Sequence, residues 1–259
     1  MPPRGLRPSG LILVDKPAGP SSFQVIAAIR RRTGARTGHA GTLDPFASGL
    51  LLVLSGAATR LARWLVGLDK RYVTEVDLRA RTSTGDVEGE VVEETQIPST
   101  DELDERLAGV RGEIELPIPA ASAVKIEGER AYRLHRRGAT VEMPVRRSLV
   151  SSLDLVEYRD GVARLDLSVS SGTYVRSIAD AVGGHCRTLR RLEVGPFSVD
   201  DADEERILPA AEALQFLPAV EVSAEEANAI RSGRRHATEG VRTLCAGELV
   251  AVGRVVVPV

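Results

Sequence analysis

Three short runs of this sequence combine residue types that could do chemistry. The densest is Gly38-His39-Ala40-Gly41-Thr42-Leu43-Asp44-Pro45, where glycines let backbone approach a ligand closely and a histidine and a carboxylate stand five positions apart. An ionised Asp44 could act as nucleophile or base. The same Asp-Pro pair also reads as a helix N-cap followed by a first-turn proline, and His39 as a loop hydrogen-bonder. The second run, Gly172-Thr173-Tyr174-Val175-Arg176, could present an aromatic ring and a guanidinium at a strand-to-helix turn. Its plain alternative is an exposed arginine at a strand end. In the third, Lys70-Arg71-Tyr72, alternation turns Tyr72 inward, toward a site or simply into a core.

Other chemistries lack their marks. There is no G-x-x-x-x-G-K-[ST], no G-x-G-x-x-G after a strand, no G-x-S-x-G and no H-E-x-x-H, which disfavours nucleotide hydrolysis, dinucleotide binding, the α/β-hydrolase elbow and zinc proteolysis. The two cysteines, Cys186 and Cys245, show neither C-x-x-C pairing nor zinc-ligand spacing, so a reducing, cytoplasmic setting fits best. No apolar run approaches the length of a membrane span, and the Pro/Arg/Gly-rich stretch before Gly10 is not followed by a signal-peptide core. At 259 residues, 43% hydrophobic and 27% charged, the chain is expected to fold as one large domain or as one large and one small. A net charge of −2 hides an asymmetry: residues 1–66 carry nine basic residues, Arg4 and Arg7 among them, against Asp15 and Asp44. With Lys16, Lys70 and Lys125 the only lysines, nearly all positive charge is guanidinium, suited to phosphates and bases, although an arginine-rich proteome would give the same bias.

The elements that must position these runs read as follows. Leu11 to Val14 is a short buried strand, and Ser21 or Ser22 caps a helix running through Arg32. Ala47 to Leu54 is apolar without a period that decides between strand and helix, while Ala57 to Leu68 reads as a helix. Tyr72 to Leu78 alternates as a strand, followed by a turn at Thr82 to Asp86 and a second strand, Val87 to Glu93, expected to pair with the first. Thr100 to Leu107 is an acidic helix broken by Leu116-Pro117-Ile118-Pro119, and a basic amphipathic segment ends at Gly138. Ser148–Tyr158 and Val162–Ser170 form a hairpin around Asp160-Gly161. A helix follows over Ser177 to Val182, acidic residues 200–205 mark a domain edge, and two late strands occupy Val241–Leu244 and Leu249–Val257. Sheet pairs with scattered helices indicate α+β or mixed α/β rather than repeated βαβ units.

Taken together, the runs resemble a known family, the bacterial TruB-type tRNA pseudouridine synthases. The resemblance covers about residues 10–200, in order: Asp15-Lys16-Pro17-Ala18-Gly19-Pro20-Ser21-Ser22, Gly38 to Gly49, Lys70-Arg71-Tyr72, Thr82 to Gly89, Pro119 with Ser122-Ala123-Val124-Lys125, Gly172 to Arg176, and Leu189-Arg190-Arg191-Leu192. It implies an α+β pseudouridine synthase fold, with a central mixed, mainly antiparallel sheet flanked by helices. Residues 1–208 would form the catalytic domain, with an RNA-clamping insertion at about 118–147, and residues 209–259 a reduced, β-rich, PUA-like domain. Twelve residues separate Arg176 from Leu189, fewer than is usual in the family.

The chemistry implied is conversion of the T-loop uridine of tRNA, position 55, to pseudouridine: N1–C1′ is cleaved and C5–C1′ formed on a flipped-out base, with no metal and no cofactor. By the same resemblance Asp44 is the essential carboxylate, whether by attack at C1′, addition at C6 or deprotonation at C2′. Arg176 is its cationic partner, and Tyr72 stacks on uracil and is the candidate to remove the C5 proton. His39, Tyr174 and Leu189 line the pocket. Lys16, Lys125 and Arg133 bind RNA, the last two within a clamp that also holds Arg130, Arg136 and Arg137. The implied partner is the T-arm of tRNA, bound by a monomer without guide RNA or membrane. The short C-terminal region and the lack of basic tails separate the sequence from guide-dependent relatives, and intact Asp44, Tyr72 and Arg176 from a non-catalytic tRNA-folding protein.

Overall fold

A computed structural model describes residues 9–139 and 141–257; Arg4 and Arg7 of the basic N-terminal region lie outside them. In chain order the elements are β1 (Gly10–Lys16), α1 (Ser22–Thr33), β2 (Thr37–His39), β3 (Ser48–Ser55), a 3-10 turn (Gly56–Leu61), α2 (Ala62–Val66), β4 (Lys70–Asp77), β5 (Ala80–Thr82) and β6 (Val91–Glu94). Next come α3 (Thr100–Ala108), β7 (Gly112–Pro117), β8 (Lys125–Ile126), β9 (Glu129–Arg130), α4 (Ala131–Arg136), β10 (Val145–Arg159), β11 (Val162–Val169) and α5 (Val175–Ala181). The chain closes with β12 (His185–Val194), β13 (Phe197–Ser198), β14 (Asp203–Leu208), α6 (Ala210–Ala213), β15 (Ala219–Glu221), α7 (Ala224–Arg231), β16 (Arg242–Cys245), β17 (Glu248–Val252) and β18 (Val255–Val256). These elements gather into two compact units.

The first unit holds the described residues up to Pro45, Gly49–Leu68 and those from Pro196 onward. Its strands β1 and β3 are apolar runs buried on both faces, paired antiparallel without a slip from Gly10↔Ser55 to Lys16↔Gly49. The stretch that periodicity left open is thus a strand, because its leucines are covered on both sides. Helix α1 starts with a reciprocal capping box, Ser21 and Gln24 each bonding the other's backbone, and buries Ile26 and Ile29. The acidic stretch expected at a domain edge instead supplies β14, an antiparallel partner of β1. A four-stranded sheet, β15-β16-β17-β18, packs its Val250 and Ala251 against Ala227 and Ile230 of α7.

The second unit holds residues 46–48 and 69–195. Its sheet runs β12-β4-β11-β10-β7, each neighbouring pair antiparallel. Asp160 and Gly161 both take positive φ, the hairpin geometry their types suggested. Strand β6 pairs with the short β5, not with β4, whose two edges are occupied by β11 and β12. The expected pairing therefore fails for lack of a free edge. Strand β12 escaped the sequence reading because two register shifts and a buried Arg191 break its alternation. The short link from α5 to β12 closes on Gly183-Gly184, where a Cβ on Gly184 would come within 2.3 Å of the Asp77 carbonyl oxygen.

Candidate active site

Asp44 lies half-buried in the loop joining β2 to β3, and no helix follows it, which removes the N-cap reading. The backbone on both sides of Asp44 is pinned by the segment from Lys16 to Ser22. Ser22, 2% exposed in the first turn of α1, accepts from the Leu43 N–H at 2.9 Å and donates to the Leu43 carbonyl at 2.8 Å. On the other side the Pro45 carbonyl accepts from the Gly19 N–H at 2.7 Å, and Gly19 can turn there because its φ of +106° suits glycine. Lys16 is 0% exposed and its ammonium donates to the carbonyls of Pro17 and Pro20, both at 2.8 Å, and of Pro45 at 3.3 Å. The residue expected on RNA thus spends its charge inside the fold, on the loop that carries Asp44. His39, also half-buried, closes the short β2 ladder opposite Val53.

In the second unit the inward face of β4 carries Lys70, Tyr72, Thr74 and Val76, all under 8% exposed. Tyr72 stands opposite Leu167 of β11 and Arg191 of β12. Leu189 is paired with Thr74, one step along the same face and in diagonal reach of the Tyr72 ring. Tyr72 and Leu189 thus share one face of the sheet with Arg191 and Lys70. Burial and the Arg191 cation lower the Lys70 pKa to about 8, with Asp69 pulling the other way.

Arg176, on the second residue of α5, is 3% exposed, which disposes of the exposed strand-end reading. It donates to the carbonyls of Thr84 at 2.7 Å and Ala121 at 3.0 Å, and pairs with Asp86 at 3.3 Å. Asp86 is equally buried and is held in turn by Thr84 Oγ1 at 2.6 Å and the Glu88 N–H at 3.0 Å. Gly85 closes this turn at φ +72°, and a Cβ added there would lie 3.4 Å from Arg176 Cβ. Asp86 was visible in the sequence only as part of a turn; an acid after Thr-Ser-Thr-Gly carries no mark of the arginine it will meet. Tyr174 is half-buried at the N-cap of α5. Arg176, the Thr82–Gly85 turn, Pro117–Ala120, Met143 and Ser177 line an open cavity within this unit.

The basic segment is a hairpin, β8–β9, followed by α4. It leaves Lys125, Arg130, Arg133 and Arg137 exposed, Arg133 lying over the Tyr132 ring at 5.9 Å and Arg137 paired with Glu129 at 2.8 Å. Among the described residues no helix is long and apolar enough to cross a membrane.

Three comparisons bear on this arrangement. Residues 30–175 match the N-terminal domain of the TruB family pseudouridylate synthases. A tRNA pseudouridine synthase B of Leifsonia xyli subsp. xyli is 41% identical over 251 residues, covering 91% of this chain and 82% of that one. Another from Cutibacterium acnes is 42% identical, covering 88% and 85%. Among solved structures, a chain of a Cbf5-Nop10-Gar1 complex superposes with a TM-score of 0.67 at 27% identity over 93% of this chain and 77% of that one.

Proposed function

Because this chain belongs to the TruB family of pseudouridylate synthases, enzymes that isomerise uridine to pseudouridine, we propose that it does so on the T-loop uridine of tRNA, position 55. The observation that carries the assignment of Asp44 is the pinning of its loop on both sides, at Leu43 and at Pro45, by hydrogen bonds from an unrelated segment. A carboxylate presented from backbone so held is preorganised, and misplacement by an ångström would cost about a hundredfold in rate. Asp44 acts as the nucleophile or base toward the flipped nucleotide, and Arg176, oriented by Asp86 and two carbonyls, is its cationic partner. The N1–C1′ bond breaks, the uracil turns while stacked on Tyr72 and walled by Leu189, C5 bonds to C1′, and the Tyr72 oxygen takes the C5 proton as its own passes to solvent. His39 and Tyr174 contact the extruded nucleotide, whose unstacking costs a few kcal/mol.

The exposed cations of the 118–147 insertion, Lys125 and Arg133 foremost, take phosphates of the T-arm, with residues 1–208 as the catalytic domain and residues 209–259 as a PUA-like RNA-binding domain. The chain works as a monomer, without a guide RNA. The test is tritium release from an unmodified tRNA transcript labelled at uridine C5. Wild type is expected to release label only when the T-loop uridine is present, and Asp44→Asn to bind the transcript without releasing any. Release from a transcript whose T-loop uridine is replaced by cytidine would refute the site, and full release by Asp44→Asn would refute the carboxylate.

A further inference from the structure

Phe23 is the one aromatic residue left mainly exposed among the described residues, at 70%, in a chain only 3% aromatic. The position of the ring matters more than its exposure. It stands in the first turn of α1, next to Ser22, whose hydroxyl accepts from the N–H and donates to the carbonyl of Leu43, one residue before Asp44. Along the outward half of the same helix Gln24, Ala28 and Arg31 are exposed and Ala27 half-exposed. Two alanines thus leave only short side chains between Phe23 and Arg31, whose backbone positions are about 12 Å apart along the axis. Arg31 and the exposed Arg36 beyond the helix make no side-chain hydrogen bond or ion pair among the described residues, whereas Arg30 is engaged with Thr37 and Arg32 with Glu204 and Glu205. No acidic residue occurs between Asp15 and Asp44, so nothing on this stretch repels an anion.

We propose that the outward half of α1 is a single-stranded RNA ridge: Phe23 stacks on an unpaired base of the substrate beside the flipped uridine, and Arg31 and Arg36 take neighbouring phosphates. Every base has a π-face for such a ring, and guanidinium groups supply the backbone contacts that stacking lacks. The inference rests on the function proposed above and adds a recognition surface to it.

The test measures the dissociation constant of unmodified tRNA transcript across a salt series for wild type, Phe23→Ala, Phe23→Leu, Phe23→Trp and Arg31→Gln, with urea midpoints to confirm folding and tritium release by wild type as the parallel readout. Phe23→Ala and Phe23→Leu are expected to weaken binding about tenfold without changing the salt slope, and Phe23→Trp to bind within about twofold of wild type, since the ring and not mere apolarity is required. Arg31→Gln is expected to reduce the slope by about 1. Folded Phe23→Ala and Phe23→Leu proteins that bind as tightly as an active wild type would overturn the ridge and leave the function standing. A wild-type chain that releases no tritium would overturn the function and the ridge with it.

Discussion

Arg176 and Asp86 face each other at 3.3 Å with 3% and 4% of their side chains exposed, so neither charge has water to fall back on. Removing one member of such a pair costs far more than the pair contributes, because the other charge stays buried. Asp86→Ala is therefore expected to destabilise the fold by about 3–5 kcal/mol in urea unfolding and to lower tritium release even where the protein remains folded, through an arginine no longer aimed. An unchanged unfolding midpoint would show that the Thr84 and Ala121 carbonyls suffice. Lys70 is the second residue where burial sets behaviour. Its pKa in the fold, about 8, lies below the 10.5 of a free lysine. Between those values the unfolded chain keeps a proton that the native chain has released, so this residue makes stability rise with pH across the window and penalises the native state by up to about 3 kcal/mol below it. Lys70→Met is expected to raise the urea midpoint at pH 7.5 and to narrow its lead over wild type by pH 10.5; a constant difference would contradict the assignment.

At the scale of elements, the loop bearing Asp44 has no regular structure of its own and borrows rigidity from the start of α1. That dependence is testable through Ser22. Ser22→Ala leaves the Leu43 N–H and carbonyl without their buried partner, and is expected to lower kcat about 10- to 100-fold with little change in KM, since the buried hydroxyl touches no RNA while the carboxylate it positions drifts. A variant that loses stability yet keeps wild-type kcat would make the clamp merely structural. The elements themselves differ in how openly the chain announces them. Helix α1 could be read to within one residue of its cap, Ser21 or Ser22, and the capping box with Gln24 makes it Ser21. The β10–β11 hairpin could be read from Asp160-Gly161. Strand β12 could not: Arg191 is among the most deeply buried side chains of the protein, at 1% exposed, and a rule that puts charge outside must misplace it.

For the molecule as a whole, a net charge of −2 offers RNA no overall attraction, so binding has to come from local patches. The insertion with Lys125, Arg130, Arg133 and Arg137 is one such patch. Replacing Lys125 and Arg133 by glutamine is expected to weaken tRNA binding and to lower the slope of log affinity against log salt by about 2, with the unfolding midpoint unchanged. A slope equal to that of wild type would place the phosphates elsewhere.

Residue order alone was enough to mark Asp44, Tyr72 and Arg176 as a set, because a glycine-rich loop, an alternating strand and a strand-to-helix turn each leave a local trace, and their succession matches one family. It also showed none of the marks of the motif-bearing chemistries and pointed to α+β or mixed α/β, since motifs and periodicity are local. What needed the folded chain were the facts that depend on distant segments meeting. Examples are the Lys16 ammonium turned inward onto Pro45, the Ser22 hydroxyl clasping Leu43, the Asp86 carboxylate under Arg176, and the Arg191 guanidinium opposite Tyr72. A lysine, a serine or an aspartate reads the same in sequence whether it faces water or a buried partner. Only packing removes the water, and with it the freedom of those groups to do anything but hold the site.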